Sequence, residues 1–200
     1  MGGSPVAEKP TLTKKLLRRA FWVWEFFSHS TYNYHTLQGT AFGHALSRIF
    51  RRLYPHDPQK AAEKTQKHMG FFNTEPCYGL LIHGVTLHLE EKQAQGAPVS
   101  EEAIESMKTN LMGPLAGIGD TLIWTLLPTI LGSIAGYMAL EGNPVGTILW
   151  LLTNVFFIAV RTQLMWVGYR EGTKLITKFG GKIAQITDAA SVLGLTVVGA

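Results

Sequence analysis

The sequence predicts an all-α integral membrane protein, with interfacial helices in its first half and transmembrane helices in its second. Three observations carry that expectation. First, Thr121–Leu140 is twenty residues without a charge, and Val145–Val160 is a second uncharged run. Twenty helical residues measure about 30 Å, one hydrocarbon thickness. Second, charged residues are 16% of the chain, against about 25% in soluble domains. Third, Lys and Arg are distributed asymmetrically: 13 precede Asp120, 5 fall in 161–188, and the turn between the two apolar runs has none. Positive charge favours the cytoplasmic side, so both flanks are expected inside and the 141–144 turn outside.

Residues 1–12 read as a disordered leader. Residues 13–110 read as an amphipathic, interfacial helical region. Thr13 is placed to cap a helix beginning at Lys14. Leu16, Leu17, Ala20, Phe21, Val23, Trp24 and Phe27 share one face of it, Lys14, Lys15, Arg18, Arg19 and Glu25 take the other, and Trp22 and Phe26 interrupt the polar side. A basic helix this rich in aromatics suits a lipid interface. Next, Gly39, Ala41, Gly43 and Ala45 give a helix a small-residue face that permits close approach. Tyr54-Pro55 stops it, and Asp57-Pro58 starts another as N-cap and first helical residue. Its Lys60, Glu63, Lys64 and Lys67 are expected in water. Pro76–Leu89 is uncharged for fourteen residues. That is short for a crossing and fits a buried helix, an interfacial one or half of a re-entrant hairpin. Ser100 caps a helix whose first residues, Glu101 and Glu102, suit its dipole.

Residues 111–200 read as the membrane region, with spans near 121–140, 143–161 and 189–200. The last stops after twelve residues and reads as cut short. At its start, Leu111-Met112-Gly113-Pro114-Leu115-Ala116-Gly117-Ile118-Gly119-Asp120 runs a glycine-punctuated segment into a carboxylate. The expectation is a broken helix whose ends face a cavity, as in transporters. Asp120 then serves one of two roles: it lines that cavity, since an intramembrane acid is costly, or it caps the following helix.

Other functions are excluded by what the chain lacks. The single Cys77 leaves no internal disulfide or multi-cysteine metal site. The seven histidines show no ligand spacing and no H-E-x-x-H. Gly117-Ile118-Gly119 lacks the third glycine of a dinucleotide loop and the lysine of a phosphate loop. No nucleophile–base pair stands out, so no catalytic residue, metal or cofactor is expected. The net charge of +4 sits where a membrane protein places it, not where a nucleic-acid binder would. No secretory signal is evident at the start.

The chain also resembles a known family over about residues 12–200. The matching pieces are Tyr32-Asn33-Tyr34 with Gln38, Arg51-Arg52-Leu53-Tyr54-Pro55, Phe71-Phe72-Asn73-Thr74-Glu75-Pro76, Gly84 through Glu91, the 111–120 segment, Gly168-Tyr169 with Gly172, and Ala190 through Leu195. In this order and spacing they resemble the enzyme IID component of the mannose–fructose–sorbose family of bacterial phosphotransferase systems. The resemblance implies a multi-pass subunit of the bacterial inner (plasma) membrane with a cytoplasmic N-terminal region. It implies a hetero-oligomer in which a IIC subunit of related, inverted fold shares the sugar path and works in an elevator-like way. IIA and IIB proteins would carry the phosphoryl group on histidines, and the substrate would be a hexose or amino sugar. One departure is that His35-Thr36 stand where the family often has Glu-Arg. Family members also continue several tens of residues past this end.

The candidate substrate-binding or gating residues are Asp120, Gly117, Gly119, Asn33, Gln38 and Asn73. Asn33, Gln38, Asn73 and Glu75 admit turn or helix-interface roles as well. His35 and His88 lie inside matching pieces. Arg161 reads as a snorkelling cation at the end of an apolar run. The alternative to a sugar-path subunit is a membrane-anchored docking subunit without sugar contacts. An intact, lipid-facing helix at 111–120 would favour the alternative.

Overall fold

The computed structural model describes residues 10–172 and residue 174. Residues 1–9 of the expected leader 1–12 and the expected run at 189–200 lie outside the described residues, whereas residues 10–12 are ordered against the Pro76–Ala94 helix: Leu12 is buried and its N–H donates to Glu91 Oε1 at 2.6 Å. The order is α1 (Lys14–Phe27), α2 (Gly39–Leu53), α3 (Pro58–Lys67), α4 (Pro76–Ala94), α5 (Glu101–Gly119), a π-helical stretch (Asp120–Leu126), α6 (Leu127–Leu140) and α7 (Val145–Glu171). No strand occurs among the described residues; two isolated bridges tie Leu37 to Asn33 and Phe72.

The caps sit where the sequence places them. Thr13, Asp57 and Ser100 accept from the backbone N–H groups of Leu16, Lys60 and Ala103. Each satisfies a donor that the first helical turn leaves open. Glu75 performs the same service for α4 by accepting from Tyr78 N–H at 2.8 Å.

Helix α4 is the hub of the fold. It is buried nearly all round, including Leu80, Ile82, Val85 and Leu87, so of the alternatives for 76–89 the structure takes the buried helix. It meets α7 through glycine on both sides. A Cβ on Gly84 would strike the Met165 carbonyl and sit 2.6 Å from the Tyr169 nitrogen, and a Cβ on Gly168 would strike the Leu81 carbonyl. Removing both side chains lets the two backbones touch. Gly39 and Gly43 of α2 likewise leave room for the backbone of residues 65–70.

Helices α5, the π stretch and α6 form one continuous rod, Glu101–Leu140, and α7 returns alongside α6 after the turn at 141–144. Both rods are long and apolar enough to cross a membrane, and their apolar windows are almost unburied. Ile130, Ile134, Leu149, Leu151, Leu152 and Val155 are exposed. Such a continuous apolar surface needs lipid or a partner around it.

The expected break at 111–119 does not occur. Gly113, Pro114, Gly117 and Gly119 stay helical, because the same segment buries Leu111, Met112, Leu115 and Ile118. That burial outweighs the roughly 1 kcal/mol of helix propensity each glycine forgoes. The irregularity appears one turn later. Pro128 has no N–H and its ring crowds the carbonyl four residues back, and the widened π turn at Asp120–Leu126 lies immediately before it.

One sequence expectation about charge is also corrected. Lys64 is not in water: it is 5% exposed and bonds Glu90, Gln93 and Glu101. Glu101 is therefore held between Lys64 and Lys67 and is not a freely solvated face. His68 completes the knot, 2.8 Å from the other Glu90 oxygen. Together these residues lock α3 and α4 to the beginning of the α5 rod.

Candidate functional site

An open pocket of ≈ 260 Å³ lies where the α5–α6 rod passes the loops before α2 and α4. Its lining brings together Gln38, Asn73 and Asp120 from three separate parts of the chain, with His29, Tyr32 and Trp124 as an aromatic wall. His29 stacks on Tyr32 with centroids 5.8 Å apart and meets Trp124 edge-on at 6.1 Å.

The loop that carries Tyr32 is built by Asn33. Its Oδ1 accepts from the N–H groups of His35 and Thr36, and its Nδ2 donates to Thr36 Oγ1 at 2.7 Å. Leu37 then takes a left-handed conformation at φ 48°, uncommon for a branched residue and held by bonds on both sides. Leu37 N–H donates to the Asn33 carbonyl, and Gln38 N–H to the Phe72 carbonyl. Asn33 is thus a turn builder beside the pocket and does not line it.

Gln38 is buried, and its amide is spent on the backbone of Thr74. Nε2 donates to the Thr74 carbonyl at 2.8 Å, and Oε1 accepts from Thr74 N–H at 3.0 Å. It clamps the two loops as a strand neighbour would. Asn73 points outward enough for its Oδ1 to accept from the Tyr32 hydroxyl at 2.7 Å. Burial raises the Tyr32 pKa, and the Asp120 carboxylate adds to the effect, so Tyr32 stays a protonated donor.

Asp120 is exposed to the pocket. Its backbone is helical at the end of α5, its N–H donates to the Ala116 and Gly117 carbonyls, and it is not the N-cap of the helix that follows; its carbonyl accepts from the Thr125 Oγ1 hydroxyl, five residues on along the π turn. Gly117 and Gly119 do not line the pocket. The Gly117 carbonyl accepts from Thr121 Oγ1, and Gly119 gives passage to the Glu75 side chain, which a Cβ there would strike. Glu75 itself is 1% exposed, and its Oε1 has no hydrogen-bond partner among the described residues. Burial raises its pKa, opposed by the N–H groups of Cys77 and Tyr78.

The structure therefore joins Asp120, Gln38 and Asn73, leaves Asn33 behind them, and keeps Gly117 and Gly119 out of the pocket lining. His29, Tyr32 and Trp124 escaped sequence reasoning; the signal available was the matching piece containing Tyr32. His88 is also structural, with Nδ1 2.9 Å from the Tyr169 carbonyl. Arg161 does not snorkel: it pairs with Glu25 of α1 at 2.8 Å. No cluster of three or more metal-binding side chains occurs among the described residues.

Chemically, the pocket offers a carboxylate, an amide, a phenol and flat ring faces. That set suits a neutral, polyhydroxylated ligand, whose hydroxyls need both donors and acceptors and whose C–H faces need apolar surface. The apolar two-helix hairpin packed on a helical body places the chain among helical integral membrane proteins.

The family follows from comparison. The model for the PTS system mannose/fructose/sorbose family IID component matches residues 11–200, and the chain belongs to that family. It is 35% identical over 191 residues to the mannose-specific EIID component of Escherichia coli K12, covering 94% of this chain and 67% of the relative. It is 37% identical over 196 residues to the sorbose-specific EIID component of Lacticaseibacillus casei, covering 96% and 68%. Against the fructose permease IID component of Bacillus subtilis the identity is 32% over 191 residues, covering 94% and 69%. Among solved structures, a chain of the mannose transporter ManYZ in complex with microcin E492 superposes with a TM-score of 0.78 at 34% identity, covering 96% of this chain and 70% of that one. The protein is a membrane IID component of a mannose-family phosphotransferase permease.

Proposed function

We propose that this subunit forms the sugar translocation unit with a IIC partner and contributes the Asp120–Asn73–Tyr32 pocket to the sugar path. The phosphoryl group travels on IIA and IIB proteins, and the substrate is a hexose or amino sugar. The observation that carries this is the convergence of Asp120, Asn73 and the His29–Tyr32–Trp124 wall on one open pocket beside the apolar hairpin. The mannose transporter ManYZ is a structural neighbour, and its pairing supports a IIC partner here. The exposed apolar flanks of α6 and α7 give such a partner a surface in the membrane. Orientation follows the distribution of Lys and Arg, with the N-terminal region in the cytoplasm and residues 141–144 outside.

The docking-only alternative retains one observation in its favour, the intact helix at 111–119. Its buried face and the pocket beyond it weigh the other way, since that helix is not simply lipid-facing. The test is co-expression with IIC, IIA and IIB components in a host lacking its own IID, with radiolabelled sugar. The proposal expects phosphorylated sugar to accumulate only when this chain and IIC are both present. Accumulation without this chain would sink it.

A further inference from the structure

A second pocket, of ≈ 400 Å³, opens between the start of α1 and the end of α7, far in sequence from Asp120. Lys14 and Arg18 face it from α1, one turn apart. Gln163, Trp166 and Arg170 face it from α7 at spacings of three and four, which puts them on one helix face. Three of the five lining residues are cations and none is a carboxylate. Arg170 lies over the Trp166 ring at 5.6 Å, so its guanidinium is positioned by an aromatic face. An apolar crevice containing Phe21 and Met165 adjoins this pocket and shares Arg18 and Trp166 with it.

We infer that this pocket binds the phosphate headgroup of an anionic phospholipid, with the acyl chains lying along the adjoining apolar wall. Three features select a lipid over other phosphate compounds. The pocket stands at the polar end of a rod long and apolar enough to span a membrane, the depth at which headgroups lie. Trp166 is the side-chain type that anchors at that depth. The cationic and apolar linings are continuous, and a basic cluster beside the end of a membrane helix attracts anionic headgroups. Arg18 and Arg170 supply forked donors that match phosphate oxygens, Lys14 supplies a point charge, and Gln163 supplies an amide donor for a headgroup hydroxyl. The inference rests on the membrane location of α7, not on the sugar-path proposal.

The experiment is native mass spectrometry of the full chain in neutral detergent, titrated with phosphatidylglycerol or phosphatidylcholine of the same acyl chains. The wild type is expected to retain phosphatidylglycerol in preference to phosphatidylcholine. Each cation near an anionic headgroup strengthens attachment by roughly fivefold. Arg18→Gln with Arg170→Gln should therefore weaken phosphatidylglycerol by about 25-fold and leave phosphatidylcholine unchanged. Gln163→Glu changes charge without changing size on an exposed face. It should reduce phosphatidylglycerol retention with unaltered helicity and Tm, which separates binding from folding. Equal retention of the two lipids by the wild type overturns the inference, as does a preference that survives both variants. Glycerol 3-phosphate binding as tightly as phosphatidylglycerol would assign the pocket to a soluble phosphate compound instead. Loss of IIB binding in the variants with lipid preference intact would assign it to a protein partner.

Discussion

Arg161 of α7 and Glu25 of α1 form an ion pair at 2.8 Å across 136 residues of sequence. Both side chains are largely shielded, at 25% and 11% exposure. The pair pins the first helix to the second membrane rod. A pair this shielded lies between an exposed one and a fully buried one, so losing one partner should cost about 2 kcal/mol. Glu25→Gln and Arg161→Gln should each lower Tm in detergent. The double variant should lose less than the two single losses added together, because it strands no charge. Additive losses would show that the two residues are not coupled.

Gly84→Ala should be more damaging than a surface change on α4. The added methyl meets the Met165 carbonyl and the Tyr169 nitrogen, which are backbone atoms that no rotamer change can move. Overpacking of this kind costs about 1–3 kcal/mol. Gly136→Ala is the control, since nothing lies within 4 Å of a Cβ there. Tm measurements on the two variants should show a fall for the first and little change for the second.

Acid should destabilise the helical region through His68 and His83. Burial holds the His68 pKa below its ordinary value despite its bond to Glu90. Burial lowers that of His83 further, helped by nearby His68 and Lys108. Both are neutral when folded, so the unfolded chain binds more protons as pH falls. The stability they contribute is complete above about pH 6.5 and declines below it, by up to about 1.4 kcal/mol per pH unit for each histidine. Neither ring nitrogen of His83 has a hydrogen-bond partner among the described residues. His83→Leu should flatten the fall in Tm between pH 7 and pH 5, and an unchanged slope would remove His83 from the account.

Lys64→Met should loosen the join between α3 and the α5 rod. It leaves Glu90, which is fully buried, with the His68 ring as its side-chain hydrogen-bond partner among the described residues. Stranding a buried carboxylate costs about 3–5 kcal/mol. Hydrogen exchange should speed up in residues 58–67 and around Glu101 before it does in α7. Uniform acceleration would point to global unfolding instead.

The parts of this molecule governed by local chemistry were readable in the sequence. Thr13, Asp57-Pro58 and Ser100 announced helix starts, residues 141–144 announced the turn, and two uncharged runs announced the rods. What required the fold was anything decided between distant segments. Gly113, Gly117 and Gly119 allow a break but do not compel one, and burial against the body of the protein kept the helix whole. Lys64 looks like a solvent-facing lysine until Glu90 and Glu101 arrive from elsewhere. Asp120, Gln38 and Asn73 stand far apart in the sequence, and only the fold shows that they line one pocket while Gln38 spends its amide on Thr74.

In the proposed function Asp120 acts in the sugar path and not in holding the fold. Asp120 is exposed, and it closes α5 through its backbone N–H, which the amide variant keeps, so Asp120→Asn should leave Tm and IIC association unchanged. Sugar uptake by the complete permease carrying this variant is the direct measurement. The expected result is a fall of about tenfold or more, as follows when a charge-assisted hydrogen bond worth roughly 1.5–3 kcal/mol is lost. Wild-type uptake by a correctly assembled Asp120→Asn complex would contradict the account and leave the subunit a docking partner.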